Sequence, residues 1–418
     1  MVHIYPFAGL RPAPGRAQRI AAVPYDVVSA DEARACIEED PESFLRVSRS
    51  DAELPHLPPY CEAVYQKARE NLAGMIGRGL FQRDIRPSMY IYRVTHGSAV
   101  YTGLCCCLAV SDYQENRIRR HELTRYDKET DRTSHIDIVD AHTGPVVLLY
   151  READLADLVE GVLAGRPPDT RVCDAAGAVH EVFVVDDPCT LEQLGAGFAR
   201  VQAVYIADGH HRAKSAVNVA ELRKAEGRYT EEAGRFMGVL FSHDRVRIHG
   251  YSRLVADLGM YTPQGFLQKI GESFSVRAYG EVDTSAFHIP PHVRPASQFH
   301  VLHMYLDGIW YECSTPVEPS RSPIDSLDVS VLQERVLTGI LGITDPRGDP
   351  RLQYLGGARS LRDLEALVDR GEFAVAFSMQ PVRVNVVLAI ADAGGVMPPK
   401  STWFEPKLLS GLVVHTIH

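Results

Sequence analysis

A chain of 418 residues exceeds what one ordinary core holds, which points to two or three lobes. Its 45% hydrophobic and 23% charged residues are those of a soluble globular protein, and a net charge of -10 weighs against a nucleic-acid partner held by phosphate neutralisation, so a small-molecule ligand is expected. Residues 1–14 lack a basic stretch followed by an apolar one, and the longest apolar run, 103–110, is too short to span a bilayer, so the expected location is the cytoplasm with no membrane partner.

Residues 4–26 carry Pro6, Pro12, Pro14 and Pro24 and should run extended over a folded body. Ser29-Ala30-Asp31-Glu32 matches a capping box that opens a helix to about Glu39. A longer helix is expected over residues 60–80, with Val64, Ala68, Leu72, Met75 and Ile76 on one stripe. Residues 89–95 and 99–110 read as a hairpin turning at His96-Gly97. Strands are then expected at 146–150 and 180–186, a helix at 191–200, and a buried strand at 201–207 followed by a helix over 213–226.

Beyond Thr230 the pattern changes. A strand at 236–242, a helix at 262–270, a hairpin of 298–306 with 309–313, helices at 326–343 and 360–370 and a strand at 373–378 are expected, with the proline-rich 283–297 as a linker or surface excursion. The alternation implies an α/β (mixed α+β) class with its site at strand ends, divided into an N-terminal lobe of residues 1–230 and a C-terminal lobe of 231–418. The eight cysteines include no C-x-x-C pair, and Cys105, Cys106 and Cys107 alternate faces of one strand, so reduced core thiols are expected and no cysteine metal site.

The most telling stretch is Ile206-Ala207-Asp208-Gly209-His210-His211-Arg212-Ala213, where an apolar strand meets a helix through one acid, a glycine, two histidines and an arginine. Helix starts carry unpaired N–H groups and positive potential, and a glycine lets a phosphate approach closely. Gly209, His210, His211 and Arg212 are therefore phosphate-binding candidates, while Asp208 is placed to hold a metal ion or orient a nucleophile; the competing account is an aspartate cap followed by surface histidines.

A second polar knot, Arg119-Arg120-His121-Glu122-Leu123-Thr124 with Lys128, Asp131 and Arg132, follows the cysteine strand. It is not H-E-x-x-H, since position 125 is Arg, and it reads either as a solvated charged helix or as a carboxylate facing the phosphate turn. A third cluster, residues 397–407, is no P-loop, because Pro399 stands where the second glycine belongs. It either presents Lys400, Ser401 and Lys407 to an anion or forms a proline-aromatic clasp for the C-terminal strand. Gly195-x-Gly197 ends in Arg200 inside a helical pattern and is no dinucleotide fingerprint.

Together Pro6-Phe-x-Gly-Leu-Arg-Pro12, Pro24-Tyr25-Asp26-Val27-Val28, His121-Glu122-x-Thr124, Ala207 to Arg212 and Met397-Pro-x-Lys-Ser-Thr402 resemble the bacterial and archaeal domain-of-unknown-function family 1015 along essentially the whole chain. The Asp208 to Arg212 turn is also similar to the phosphate-binding box of the ParB/sulfiredoxin superfamily. That similarity implies a ParB/sulfiredoxin-like mixed sheet core elaborated with additional α/β lobes. In the free serine kinases of that superfamily such a turn grips phosphates and a separate glutamate activates the serine hydroxyl, a role that order and local context carry to Glu122. The family's association with serine biosynthesis points the same way.

The resulting expectation is a kinase that phosphorylates free L-serine, with Mg²⁺ and ATP, ADP or pyrophosphate as donor. Glu122, Asp208 and His211 are the catalytic candidates, and Asp208 is the metal ligand. Gly209, His210, His211 and Arg212, with Lys400, Ser401 and Lys407, would bind phosphates; His121, Thr124, Lys128 and Arg132 would bind the substrate, Lys128 or Arg132 through its carboxylate. The alternatives are a non-catalytic ParB-like nucleotide sensor and a phosphoserine phosphatase, and a homodimer is left open.

Overall fold

Nine strands from the first part of the chain share one mixed sheet in the computed structural model, which describes residues 1–356 and 359–418. In chain order they are β1 (Ile4–Tyr5), β2 (Met89–His96), β3 (Ala99–Ala109), β4 (Ile118–Arg119), β5 (Val146–Tyr150), β6 (Thr170–Cys173), β7 (Val179–Val185), β8 (Val204–Asp208) and β9 (Arg235–Ser242). Their order across the sheet is β4-β8-β5-β9-β3-β2-β7-β6, with β1 added to β3. Most neighbours are antiparallel; β4 with β8 and β5 with β9 are parallel.

Alternate residues of these strands build one core. Leu104, Cys106 and Leu108 of β3, Leu148 of β5, Phe183 of β7, Ile206 of β8 and Leu240 of β9 are buried in a single cluster, as the two-residue period of a strand requires. Two helices bear on the site, α1 (Tyr126–Val139) and α2 (His210–Ala225), and α2 adds Ala213, Ala216, Val217 and Ala220 to that cluster.

The chain divides into a unit of Met1–Val246 with Pro406–His418 and a unit of Arg247–Glu405. This differs from the expected division at 230. β9 lies beyond that point yet pairs with β3 and β5, and the tail returns to pair Val414 with Leu10 and Ser410 with Ala22. The second unit is built on a six-stranded antiparallel sheet that includes the expected hairpin, Phe299–Leu306 with Ile309–Pro316.

Locally encoded features appear where they were expected. Ser29 accepts from the Glu32 N–H at 3.2 Å while the Glu32 carboxylate accepts from the Ser29 N–H at 2.7 Å, closing the capping box of the Ala30–Glu39 helix. The long helix runs from Glu62 to Gly77 and buries Val64, Ala68, Leu72 and Met75, but Ile76 is exposed at the margin of the stripe. The helix expected over 326–343 is broken into Asp328–Leu332 and a π-helical Gln333–Thr338. All eight cysteines are free; Cys105, Cys106, Cys107 and Cys313 are buried, whereas Cys36, Cys173 and Cys189 are exposed rather than in the core.

Candidate active site

β8 ends in a disturbance that prepares the turn. Its register against β5 shifts between Ile206 and Asp208, so Ala207 is skipped in the pairing and the strand is re-aimed just before the acid. Gly209 follows with φ +92, the left-handed conformation that glycine adopts without a steric penalty. This reversal starts α2 at once, at His210 and not at Ala213: His210, His211 and Arg212 form its first turn. The cap position is Gly209, which has no side chain, so it supplies no capping oxygen to the first N–H groups at the positive end of the α2 dipole.

Arg212 folds back over the turn. A Cβ at position 209 would stand 3.0 Å from its Nε and 3.1 Å from its Cζ, which is the space between backbone and guanidinium. Nη2 of Arg212 donates to Asp208 Oδ2 at 2.7 Å, and Nη1 donates to the Pro145 carbonyl. Lys407 Nζ donates to the other carboxylate oxygen, Oδ1, at 3.1 Å. These two cations hold the Asp208 carboxyl far below the usual carboxylate range although burial opposes ionisation.

That geometry decides what Asp208 can hold. Each of its oxygens accepts from one cationic donor, so an ion held by Asp208 would share the carboxylate with Arg212 and Lys407. Among the described residues the one group of three donor side chains close enough for a metal is elsewhere, Cys107, Glu232 and His415. Residues so distant in sequence left no spacing signal. There His415 Nε2–H donates to Glu232 at 2.6 Å and Arg235 Nη1 donates to the other oxygen at 2.8 Å.

The His121-Glu122 knot lies beside the turn. β4 runs parallel to β8 with Ile118 opposite Val204, and the same separation of 86 residues recurs where the Arg125 N–H donates to His211 Nε2 at 3.0 Å and where the Ser215 hydroxyl donates to the Glu129 carbonyl at 3.0 Å. Two strand-to-helix units, β4 into α1 and β8 into α2, thus run side by side. Glu122, 86 residues before Asp208, lies on the segment bounded by two contacts with the turn: His121 packs edge-on against His210 with centroids 4.6 Å apart, and Arg125 binds His211.

The histidines are neutral here. Burial depresses His121 to about 4, against a hydrogen bond with the Ile206 backbone that raises it, and burial with His121 alongside takes His210 well below its ordinary value. His210 Nε2 is buried without a hydrogen-bond partner. Burial also lowers His211, and because its Nε2 accepts from Arg125 its proton sits on Nδ1.

The remaining expected residues scatter. Thr124 donates to Glu129, and Lys128 donates to the Tyr60 hydroxyl at 2.8 Å. Arg132 is buried on α1, its Nε bonded to Asp131 at 2.9 Å. Lys400 and Ser401 belong to the second unit, where Lys400 Nζ lies 5.3 Å from the centre of the Tyr251 ring and the Ser401 hydroxyl donates to the Pro398 carbonyl at 2.6 Å. Both contacts lie within the second unit, whereas Lys407 belongs to the first unit and reaches Asp208. Sequence reading missed Pro145 and Gly144, whose contacts with Arg212 are made through a backbone carbonyl and a missing side chain, neither of which leaves a residue-type signal.

The family described as protein of unknown function (DUF1015) matches residues 4–330. No curated protein matches the sequence. Among solved structures, a glutamate-to-alanine variant of a free serine kinase in complex with AMP is 12% identical, with a TM-score of 0.36 over 72% of this chain and 86% of that one. A conserved hypothetical protein from Pyrococcus furiosus is 12% identical, with a TM-score of 0.34 over 72% and 90%. SbnI from Staphylococcus aureus, truncated at its C-terminus, is 11% identical, with a TM-score of 0.35 over 73% and 85%. No helix of the described residues is long and apolar enough to cross a membrane.

Proposed function

The chain belongs to the DUF1015 family of proteins of unknown function, and we propose that it is a cytoplasmic phosphotransferase that phosphorylates the hydroxyl of a small metabolite, free L-serine. The observation that carries this reading is the uncapped start of α2 behind a left-handed Gly209, with Arg212 held over it by Asp208. A cradle of backbone N–H groups and one fixed guanidinium suits phosphoryl transfer, which needs positioning and charge neutralisation more than covalent chemistry.

In this reading the serine oxygen attacks the donor's terminal phosphorus, a new O–P bond forms and the bond to the donor's leaving oxygen breaks. Glu122 accepts the hydroxyl proton. The N–H groups of Gly209 and His210, the Nδ1–H of His211 and the guanidinium of Arg212 bind the transferred phosphoryl group. Asp208 orients Arg212 and Lys407 toward it, and His121, packed on His210, supports the hydroxyl side of the site. The donor is ATP, ADP or pyrophosphate, with Mg²⁺ as helper.

The experiment is direct. The purified protein is incubated with Mg²⁺, serine and each donor separately, and phosphoserine is sought by mass spectrometry. Phosphoserine that requires a donor supports the kinase; phosphate released from phosphoserine without one identifies a phosphatase; binding of a nucleotide with no turnover identifies a sensor.

A further inference from the structure

The Pro24-Tyr25 motif has no part in the phosphate turn, and its place in the fold gives it another task. Tyr25, Ser48, Arg132, Gly144, Arg212 and Ser410 line one narrow cleft of the first unit. Arg132 lies buried there with its guanidinium carbon 4.2 Å from the centre of the Tyr25 ring. The Nε bond to Asp131 occupies one edge of its plane, and Asp131 is itself fixed by the Tyr65 hydroxyl at 3.0 Å. Arg49 anchors the motif by donating to the carbonyls of Tyr25, at 3.1 Å, and Val28.

Arg212 forms the wall shared with the phosphate turn, so the cleft opens beside the site already described and carries two guanidinium groups. Burial pushes the Tyr25 hydroxyl up to about 12, which keeps it a neutral donor at physiological pH. The floor is Gly144. A Cβ there would meet Arg212 Nη1 at 3.4 Å and the Ser410 hydroxyl at 3.4 Å, so the missing side chain is what leaves the space open. A side chain at position 144 would take up room in a cleft this narrow, and arginine's planar fork matches a flat, two-oxygen anion.

We infer that this cleft is the carboxylate pocket of the substrate site: Arg132, stacked on Tyr25, binds the carboxylate of a compact hydroxy amino acid, and the bare Gly144 sets the pocket's size. The inference rests on the phosphotransferase reading for the hydroxyl end of that substrate. It also decides between the two cations that the sequence offered, since Lys128 is engaged by Tyr60 and does not line the cleft.

The test uses the full chain and compares calorimetric binding of L-serine and of L-serinamide, which lacks the carboxylate, to the wild type and to Gly144→Ala and Arg132→Lys. Wild type should bind serine about tenfold or more tighter than serinamide, as expected for a charge-assisted contact. Arg132→Lys should close that gap. Gly144→Ala should weaken serine by a similar factor while keeping the wild-type circular dichroism spectrum, and with an active donor it should raise KM more than it lowers kcat. If Arg132→Lys does not fold, Gly144→Ala and Ser410→Val decide.

Equal binding of serine and serinamide by the wild type overturns the inference, as does a folded Gly144→Ala that still discriminates between them, or a wild type that binds no serine. Discrimination without phosphoserine from any donor leaves the pocket standing and removes the kinase reading; phosphoserine formation without discrimination does the reverse.

Discussion

Lys407 Nζ lies 3.1 Å from Asp208 Oδ1 across 199 positions of sequence, and the tail that carries it is pinned to the first unit through Ser410 and Val414. Asp208 thereby becomes a hub for two cations beside an uncapped helix start. Replacing Lys407 with Met should leave Asp208 paired to Arg212 alone and cost on the order of 1 kcal/mol in stability, because both side chains keep about a quarter of their exposure and are partly screened. Donor affinity should fall as well. A thermal melt with a calorimetric donor titration separates the two effects, and unchanged donor affinity would confine Lys407 to holding Asp208.

Arg212→Ala removes the guanidinium from above the turn. Phosphate or donor binding should weaken by roughly 1.5 to 3 kcal/mol, about ten- to a hundredfold, in a protein that still folds. Wild-type affinity in a folded variant would take the phosphate role away from this residue.

Gly209→Ala combines strain and obstruction. The backbone sits at φ +92 and the new Cβ would press on Arg212 Nε at 3.0 Å, so a stability loss of about 1 to 2 kcal/mol and a larger loss of phosphate binding are expected. Retained binding in the titration would mean that the anion does not use the gap between Gly209 and Arg212.

Glu122→Gln keeps the shape of the side chain and removes the base. Turnover should fall by about 10²-fold or more while serine and donor still bind. Weakened binding with little change in kcat would make Glu122 a substrate anchor.

Acid should destabilise the first unit through its buried histidines. Burial holds His121 at about 4, His135 at about 4 with Arg132 adding to the effect, and His142 at about 3 with His415 adding to it. In the unfolded chain these rings take up protons near 6.5, so between about pH 6.5 and 4 the unfolded state binds more protons and stability falls as pH falls. Each ring contributes up to about 3 kcal/mol over that window. Melting temperatures at pH 7, 5.5 and 4.5 read the slope, and His135→Gln, which keeps a donor for the Val47 carbonyl now bonded at 3.0 Å, should flatten it. A wild-type profile already flat over this range would show that these rings titrate alike in the folded and unfolded states, so that burial does not hold them neutral.

Features that depend on neighbours in sequence were legible along the chain. The Ser29 to Glu32 box, the hairpin turning at Gly97 and the strand-glycine-helix form of residues 204–212 each require only a few adjacent side chains and one backbone conformation. The start of α2 was misread by three residues for a related reason: His210, His211 and Arg212 interrupt the apolar period, while the left-handed turn at Gly209 lets the helix begin without it. Long-range pairing has no such local record. Neither the parallel register of β4 and β8 that brings His121 onto His210, nor the return of Lys407 to Asp208, nor the stacking of Arg132 on Tyr25 follows from any periodicity, because each is set by which strands and segments find one another once apolar faces are buried. Residue types could thus suggest a phosphate turn, but the partners that orient it, Lys407, the Pro145 carbonyl and the bare Gly144, are supplied by folding.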